Sequence, residues 1–278
     1  MFAQGLPQPH NADAARRMVG AVESRNAVAA ITAVVCGTPA IGLEQSELER
    51  FLRREGVRKV SARDLATAMA QRADGATTVA ASLALANRAG IRVFATGGIG
   101  GVHRDTPGAS PAARDESADL AELAKTPMVV VCAGAKSILD LPATWERLDT
   151  LGIPVLGFGT DELPGFFTAQ TGIRLSTSVA HAGEIAEIAA AHFALGRTQA
   201  VVVVQPPPAD VALEAKVVDA AVERALRSAE ADGVRGAEVT PYLLAVVSRE
   251  TQGRTLATNL GLLEANARLA ADISVAMQ

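Results

Sequence analysis

The chain has 278 residues, 49% apolar and 20% charged, with a formal net charge of −4 at pH 7. That composition supports a buried core and excludes a wholly disordered chain, and the length suits one large domain over 1–278. Seven Phe, one Trp, one Tyr and no basic excess leave too few exposed rings and too little positive surface for nucleic-acid binding.

In chain order, residues 1–18 lack the basic-then-apolar pattern of a secretory signal. No apolar run approaches the roughly 18 residues that span a bilayer, so a cytoplasmic location with no membrane partner is expected. A turn at Gly5-Leu6-Pro7-Gln8-Pro9 leads into a helix over 11–23 and a strand over 27–35. Helical periods follow at 44–54, 62–72 and 77–88, then a strand at 91–95. Residues 103–114 are polar, contain Pro and Gly, and are too long for a tight turn, as functional loops often are. Beyond them come a helix at 117–124, a strand at 128–132, a helix at 143–151 and a strand at 153–158. A helix at 182–195, a strand at 200–204 ending in Gln205-Pro206-Pro207-Pro208, and helices at 211–231, 241–250 and 255–276 complete the chain. Short β-branched runs alternating with Ala-rich helices predict a layered α/β domain built around a sheet. Cys36 and Cys132 lie in apolar stretches without disulfide or CxxC spacing and are expected to be buried thiols.

Several residues could carry chemistry. The run Thr96-Gly97-Gly98-Ile99-Gly100-Gly101-Val102-His103 follows a strand, and its glycines would let backbone N–H groups approach a ligand. It fits neither the G-x-G-x-x-G nor the G-K-[ST] pattern, and His103 reads as a ligand contact or an ordinary loop residue. Lys136 stands just past the carboxyl end of the apolar 128–132 strand, where α/β sheets bind ligands. Desolvated there, it becomes a neutral amine able to attack a carbonyl; the alternative is a surface lysine opening a helix. Lys59 suits a phosphate or sugar contact, or simply a solvated face. Asp115 and Asp119 are four apart, which puts them on one helix face if the helix starts early, and such oxygens suit Mg²⁺ or Mn²⁺. Asp and Ser117 are equally expected there as helix caps.

Together the segments are more specific than each alone. Lys59-Val60-Ser61-x-Arg63-Asp64-Leu65, Gly75-Ala76-Thr77-Thr78-Val79-Ala80, Phe94 through Arg104, Ser117-Ala118-Asp119-Leu120 and Val131-Cys132-Ala133-Gly134-Ala135-Lys136-Ser137 resemble the pseudouridine-5′-phosphate glycosidase family, also called indigoidine synthase A-like. The resemblance continues through Thr240-Pro241-Tyr242 and Asn259-Leu260 to Asn266-Ala267. It implies a three-layer α/β/α sandwich around a mostly parallel or mixed sheet, assembled as a homotrimer. It implies cleavage of the C–C bond of pseudouridine 5′-phosphate to uracil and ribose 5-phosphate, with Mn²⁺ as cofactor. Carried over residue by residue, Lys136 is the imine-forming nucleophile and Asp115 the metal ligand. Lys59, Val79 and Ser117-Ala118-Asp119 match substrate-contact positions, and Thr78, Thr96, His103 and Asn259 fall where phosphate, sugar or base contacts are expected.

The chain departs from the family pattern at Glu116 (usually Ile), Gln205 (usually Asn before Pro), Ala265 (usually Asn) and in the composition of loop 105–114. The family's proton donor is a Glu on a Glu-Ser-Thr strand ahead of the turn matched by Gln4-Gly5-Leu6-Pro7. The chain reaches Met1 a few residues short of it, so the domain is expected to lack its first strand and Met1 to be a mis-assigned start. Two other readings stand beside the glycosidase: a catalytically impaired sugar-phosphate binder if the Glu is absent, and a Schiff-base aldolase or lyase.

Overall fold

A computed structural model describes residues 2, 3, 5–104, 115–234 and 239–278. The expected features of loop 105–114 and Gln4 lie outside those residues. Helix α1 (His10–Glu23) leads to a sheet of β1 (Thr32–Val35), β2 (Thr38–Ile41), β3 (Arg58–Val60) and β4 (Gly75–Thr77) in the order β2-β1-β4-β3. Only the β3–β4 pair is parallel. Helices α2 (Gln45–Arg53), α3 (Leu65–Ala70) and α4 (Val79–Arg88) connect and follow these strands.

The second sheet carries the core. Strands β5 (Val93–Ala95), β6 (Val129–Cys132), β7 (Val155–Phe158), β8 (Ser178–Val179) and β9 (Val201–Val204) lie in the order β5-β6-β9-β7-β8, all parallel. β6 and β9 are buried along their whole length, the mark of strands covered on both faces. One face, Val129, Val131, Val201 and Val203, packs on Ile185 of α7 (Ala182–Ala194) and Leu269 and Ile273 of α10 (Arg254–Ala276). The other, Val130, Cys132, Val202 and Val204, packs with Leu123 of α5 (Ala118–Leu123), Leu148 of α6 (Leu141–Thr150) and Val222 of α8 (Ala215–Ala231). Helix α9 (Val239–Glu250) packs beside α8. Helices on both faces of the parallel sheet make the three-layer α/β/α arrangement.

Some expectations need correction. The strand over 27–35 shrinks to Thr32–Val35, because 27–31 has no ladder partner among the described residues and leaves Val28 93% exposed. The helix over 62–72 splits into a 3-10 turn and α3, since the Asp64 side chain turns back to accept from the Ser61 N–H. The 211–231 helix starts at Ala215, behind a loop in which Leu213 N–H donates to Phe167 C=O. β2, β3, β4 and β8 were not expected; they are two to four residues long and too short to show alternation. Cys36 is exposed, in left-handed backbone (φ 48°) at the turn between β1 and β2. No helix among the described residues is long and apolar enough to cross a membrane.

β5 ends its sheet order, so one of its edges has no strand partner among the described residues.

Candidate active site

The site is built where β5 and β6 end. Past β6, Gly134 takes φ +85°, and a Cβ there would lie 2.3 Å from Pro164 O, so the bend needs glycine. Past β5, the glycine-rich run travels beside it: Ile99 bridges Ala135, Ile99 N–H donates to Gly134 C=O, and Lys136 N–H donates to Ile99 C=O at 3.2 Å. The parallel pairing of the two strands thus continues into both loops. Lys136 is carried to the mouth of a cavity of about 1220 Å³.

Asp119 holds the opposite wall. Its carboxylate is 5% exposed and accepts from Ala80 N–H at 2.9 Å and Gly100 N–H at 2.8 Å. It therefore ties the first turn of α4 to the glycine loop. Ser117 caps α5 and accepts from Asp119 N–H, while Ser117 N–H donates to Gly101 C=O. Side chains pack so closely here that a Cβ on Gly100 would lie 2.1 Å from Ser117 Oγ, and one on Gly101 2.4 Å from Thr144 Oγ1.

The start of α4 explains why an apolar residue, Val79, belongs to a polar site. Of the first N–H groups of that helix, Ala80's goes to Asp119 and Ala81's to the Thr78 hydroxyl. Val79's has no partner among the described residues, and anions are favoured at a helix N-terminus.

Lys136 is held below the usual lysine range, first by burial; Asp119 pulls the other way, and the Lys59 charge adds to the lowering. An amine so placed is neutral over more of the pH range than a surface lysine and can act as a nucleophile. Cys132, at the end of the same strand, has its thiol pushed up to about 12 by burial. A native-state titration with a thiol reagent at pH 8 is therefore expected to modify Cys36 quickly and Cys132 only after unfolding; two fast thiols would contradict the packing.

The cavity gathers every residue singled out in the sequence: Lys59, Thr78, Val79, Thr96, His103, Asp115, Ser117, Ala118, Asp119, Lys136 and Asn259. One juxtaposition fails. Asp115 precedes α5, which begins at Ala118, so Asp115 and Asp119 do not share a helix face. Asp115 is mainly exposed, with Oδ2 4.0 Å from His103 Nε2, and its C=O accepts from His103 N–H. No cluster of three or more His, Cys, Asp or Glu forms among the described residues. A single open carboxylate fits a hard divalent cation that keeps most of its waters, not a metal in an all-protein cage.

Two other contributors, Phe166 and Asn266, were given no role in the sequence, although Asn266 lies in a segment of the resemblance. Phe166 sits in left-handed backbone (φ 66°), a strained state for an aromatic residue, and its ring lies where a Cβ on Gly98 would be, 2.6 Å away. Asn266, fully buried, donates to Thr96 C=O at 2.8 Å and accepts from Gln205 Nε2 at 2.8 Å. A departure from the family pattern, Gln205, thus meets the residue beside another, Ala265, behind the glycine loop. The cavity also exceeds the roughly 300–1,000 Å³ of ordinary small-molecule sites. The excess lies against residues 26–32 and 90–95.

Fold and site together define an α/β protein with an amine-bearing lysine at the carboxyl end of a parallel strand, lining a large cavity. The family model for indigoidine synthase A like protein matches residues 1–276. The pseudouridine-5′-phosphate glycosidase of Gemmatimonas aurantiaca is 61% identical over 277 residues, covering 100% of this chain and 89% of the relative. That of Herpetosiphon aurantiacus is 48% identical over 280 residues, covering 100% and 90%. Two solved structures are similar. An indigoidine synthase A-like protein from Thermotoga maritima has TM-score 0.89 and 36% identity, covering 99% of this chain and 89% of that one. The prealnumycin C-glycosynthase AlnA, solved with ribulose 5-phosphate, has TM-score 0.88 and 37% identity, covering 96% and 86%. The chain belongs to the indigoidine synthase A-like family.

Proposed function

We propose that this chain cleaves the C–C glycosidic bond of pseudouridine 5′-phosphate to uracil and ribose 5-phosphate through an imine on Lys136. The observation that carries the reading is Lys136 itself, a lysine with its ammonium form disfavoured, opening into the cavity where the family's site positions meet.

The chemistry follows from the bond. A base linked through carbon does not depart as a simple leaving group, so the sugar carbon needs a partner that takes up positive charge. The neutral Lys136 amine bonds to C1′ as the C1′–O4′ bond breaks, and O4′ leaves as the ring-opened hydroxyl, taking up the proton the amine loses. Its nitrogen lone pair then forms the C1′=N bond as the C1′–C5 bond breaks, and the pair from that bond leaves on uracil C5, which takes a proton. Water adds to the imine, releasing ribose 5-phosphate and restoring the amine. Around this step, Lys59, Thr78 and the free Val79 N–H receive phosphate or sugar oxygens. Thr96, His103, Ser117, Ala118 and Asn259 line the rest of the substrate, while Asp119 holds the wall. Asp115 would hold Mn²⁺, which when bound supplies positive charge to substrate oxygens. Mn²⁺ binding read by electron paramagnetic resonance is expected to weaken strongly in Asp115→Asn; unchanged binding would remove Asp115 from the metal.

A second reading is a sugar-phosphate binder whose turnover lacks the roughly 10²–10⁴-fold help of a general acid. Assembly as a homotrimer belongs to the same proposal, and light scattering is expected to give the mass of three 28.6 kDa chains. The deciding assay is uracil release from pseudouridine 5′-phosphate with Mn²⁺ and with chelator, alongside borohydride trapping of ribose 5-phosphate. Metal-dependent release with trapping is expected. Trapping without release favours the binder, and release without trapping removes the imine.

A further inference from the structure

The strand that delivers Lys136 lies between two strands that do not pair with each other. β6 is flanked by β5 and β9, whose ends stand two strand spacings apart, roughly 9–10 Å, too far for a backbone hydrogen bond. Two side-chain amides join them instead. Gln205, directly after β9, donates its N–H to Cys132 C=O at 3.1 Å and its Nε2 to Asn266 Oδ1 at 2.8 Å. Asn266, on α10, in turn donates Nδ2 to Thr96 C=O at 2.8 Å and to Gly97 C=O at 3.4 Å, directly after β5.

The partners fix which way these amides face. Two backbone carbonyls can only accept, so Asn266 turns its NH₂ to the loop after β5 and its oxygen to Gln205. Gly97 C=O also accepts from Ala133 N–H at 2.9 Å. That contact closes a ring. The Cys132–Ala133 peptide gives its N–H to Gly97 and takes the Gln205 N–H on its C=O, and Asn266 with Gln205 joins those two partners. The peptide so enclosed lies three residues before Lys136. Asn266 is fully buried and Gln205 half-buried, so water competes little for these bonds.

We infer that Asn266 and Gln205 are positioning residues for Lys136, an amide bridge that fixes the spacing of the strand ends on either side of it. This rests on the proposed imine chemistry and extends it from the amine to the groups that hold it in place. Neither residue lines the cavity, whereas Thr96, Gly97 and Lys136 do. Asn266 and Gln205 therefore act through the enclosed peptide and not on the substrate. Filling space alone would not call for an amide here. Asn266 sits on a helix whose other buried positions include Leu262, Leu263 and Leu269, and an amide taken out of water is costly unless it is bonded. Its bonds go to the two carbonyls that end β5, beside the loop that carries the nucleophile. A displacement of that loop by about 1 Å is enough to cost on the order of 10²-fold in rate.

The test measures borohydride trapping of ribose 5-phosphate well below each variant's thermal midpoint, split into the maximal rate and the half-saturating sugar concentration. Asn266→Leu, similar in shape and without the amide, is expected to lower the maximal rate on the order of 10²-fold and to leave half-saturation unchanged. Gln205→Met keeps the length and the backbone N–H but not the amide, and is expected to lower it roughly tenfold, the scale of one hydrogen bond. Because both act through one bridge, the double variant is expected to be no slower than Asn266→Leu alone. Hydrogen exchange read by mass spectrometry needs no substrate, and is expected to speed up over residues 131–138 in both single variants. If Asn266→Leu fails to fold, Gln205→Met carries both readouts. Losses that multiply in the double variant, an unchanged maximal rate in a folded variant, a loss confined to half-saturation, or unchanged exchange overturns the inference. A wild type that traps no sugar overturns the imine reading instead. Exchange then decides the bridge by itself, faster exchange supporting it and unchanged exchange overturning it.

Discussion

Replacing Lys136 by alanine is expected to abolish borohydride trapping of ribose 5-phosphate and to cut uracil release by on the order of 10⁴-fold or more, the scale of losing a covalent nucleophile. Lys59, the other lysine lining the cavity, is exposed on β3 and is not brought to the end of a buried strand. Persistent trapping in Lys136→Ala would refute the nucleophile assignment. The pH dependence carries a definite sign. Lys136 reacts as the free amine, so the trapping rate rises with pH and levels off above a pKa that lies below the ordinary 10.5. Lys59→Met removes a like charge and moves that limb to higher pH; Asp119→Asn removes an opposite charge and moves it lower. A limb unmoved by both changes would mean that burial alone sets the amine.

The same burial affects stability. Between the folded pKa of Lys136 and 10.5 the unfolded chain binds the extra proton, so stability rises with pH through that window and the cost is fully present below it. Lys136→Met, similar in length and uncharged, is accordingly expected to raise the thermal midpoint at pH 7 while abolishing activity, an exchange of stability for function seen at many active sites. A lower midpoint would indicate that the lysine is stabilised in the fold by contacts the methionine loses.

The second large effect is at Asp119. Asp119→Ala strips both acceptors from the Ala80 and Gly100 N–H groups, each in a water-poor wall. Leaving a buried N–H unpaired costs roughly 1–3 kcal/mol, so about 2–6 kcal/mol is expected in urea unfolding. That is a large share of the roughly 5–15 kcal/mol a domain typically holds. Asp119→Asn keeps one oxygen and is expected to lose about half as much. If both variants unfold within about 0.5 kcal/mol of wild type, the carboxylate is not the link between α4 and the glycine loop.

These predictions rest on features of differing legibility. Lys136 could be placed from sequence because Val129–Cys132 is an uninterrupted apolar run, and a parallel buried strand delivers whatever follows it to the ligand end of the sheet. The glycine run could be recognised as a close approach of backbone, but not what approaches it; Ser117, Thr144 and Phe166 come from three other segments. Cys36 was misplaced because an apolar neighbourhood says nothing about a one-residue turn in left-handed backbone. Strands β2, β3 and β4 escaped notice because three or four residues carry no periodicity, and β4's partners β1 and β3 lie in separate segments of the chain.

Composition and pattern by themselves determined the layered α/β architecture and the position of nearly every long helix. Each of these is a local property, set by hydrophobic period and by what a strand end presents. Tertiary structure alone decided the state of the residues in the cavity: that Asp119 is a buried clamp, that Asp115 stands open outside the helix, and that Lys136 is desolvated. Protonation and hydrogen bonding depend on neighbours up to 170 positions away in the chain, and only the folded packing brings those neighbours within reach.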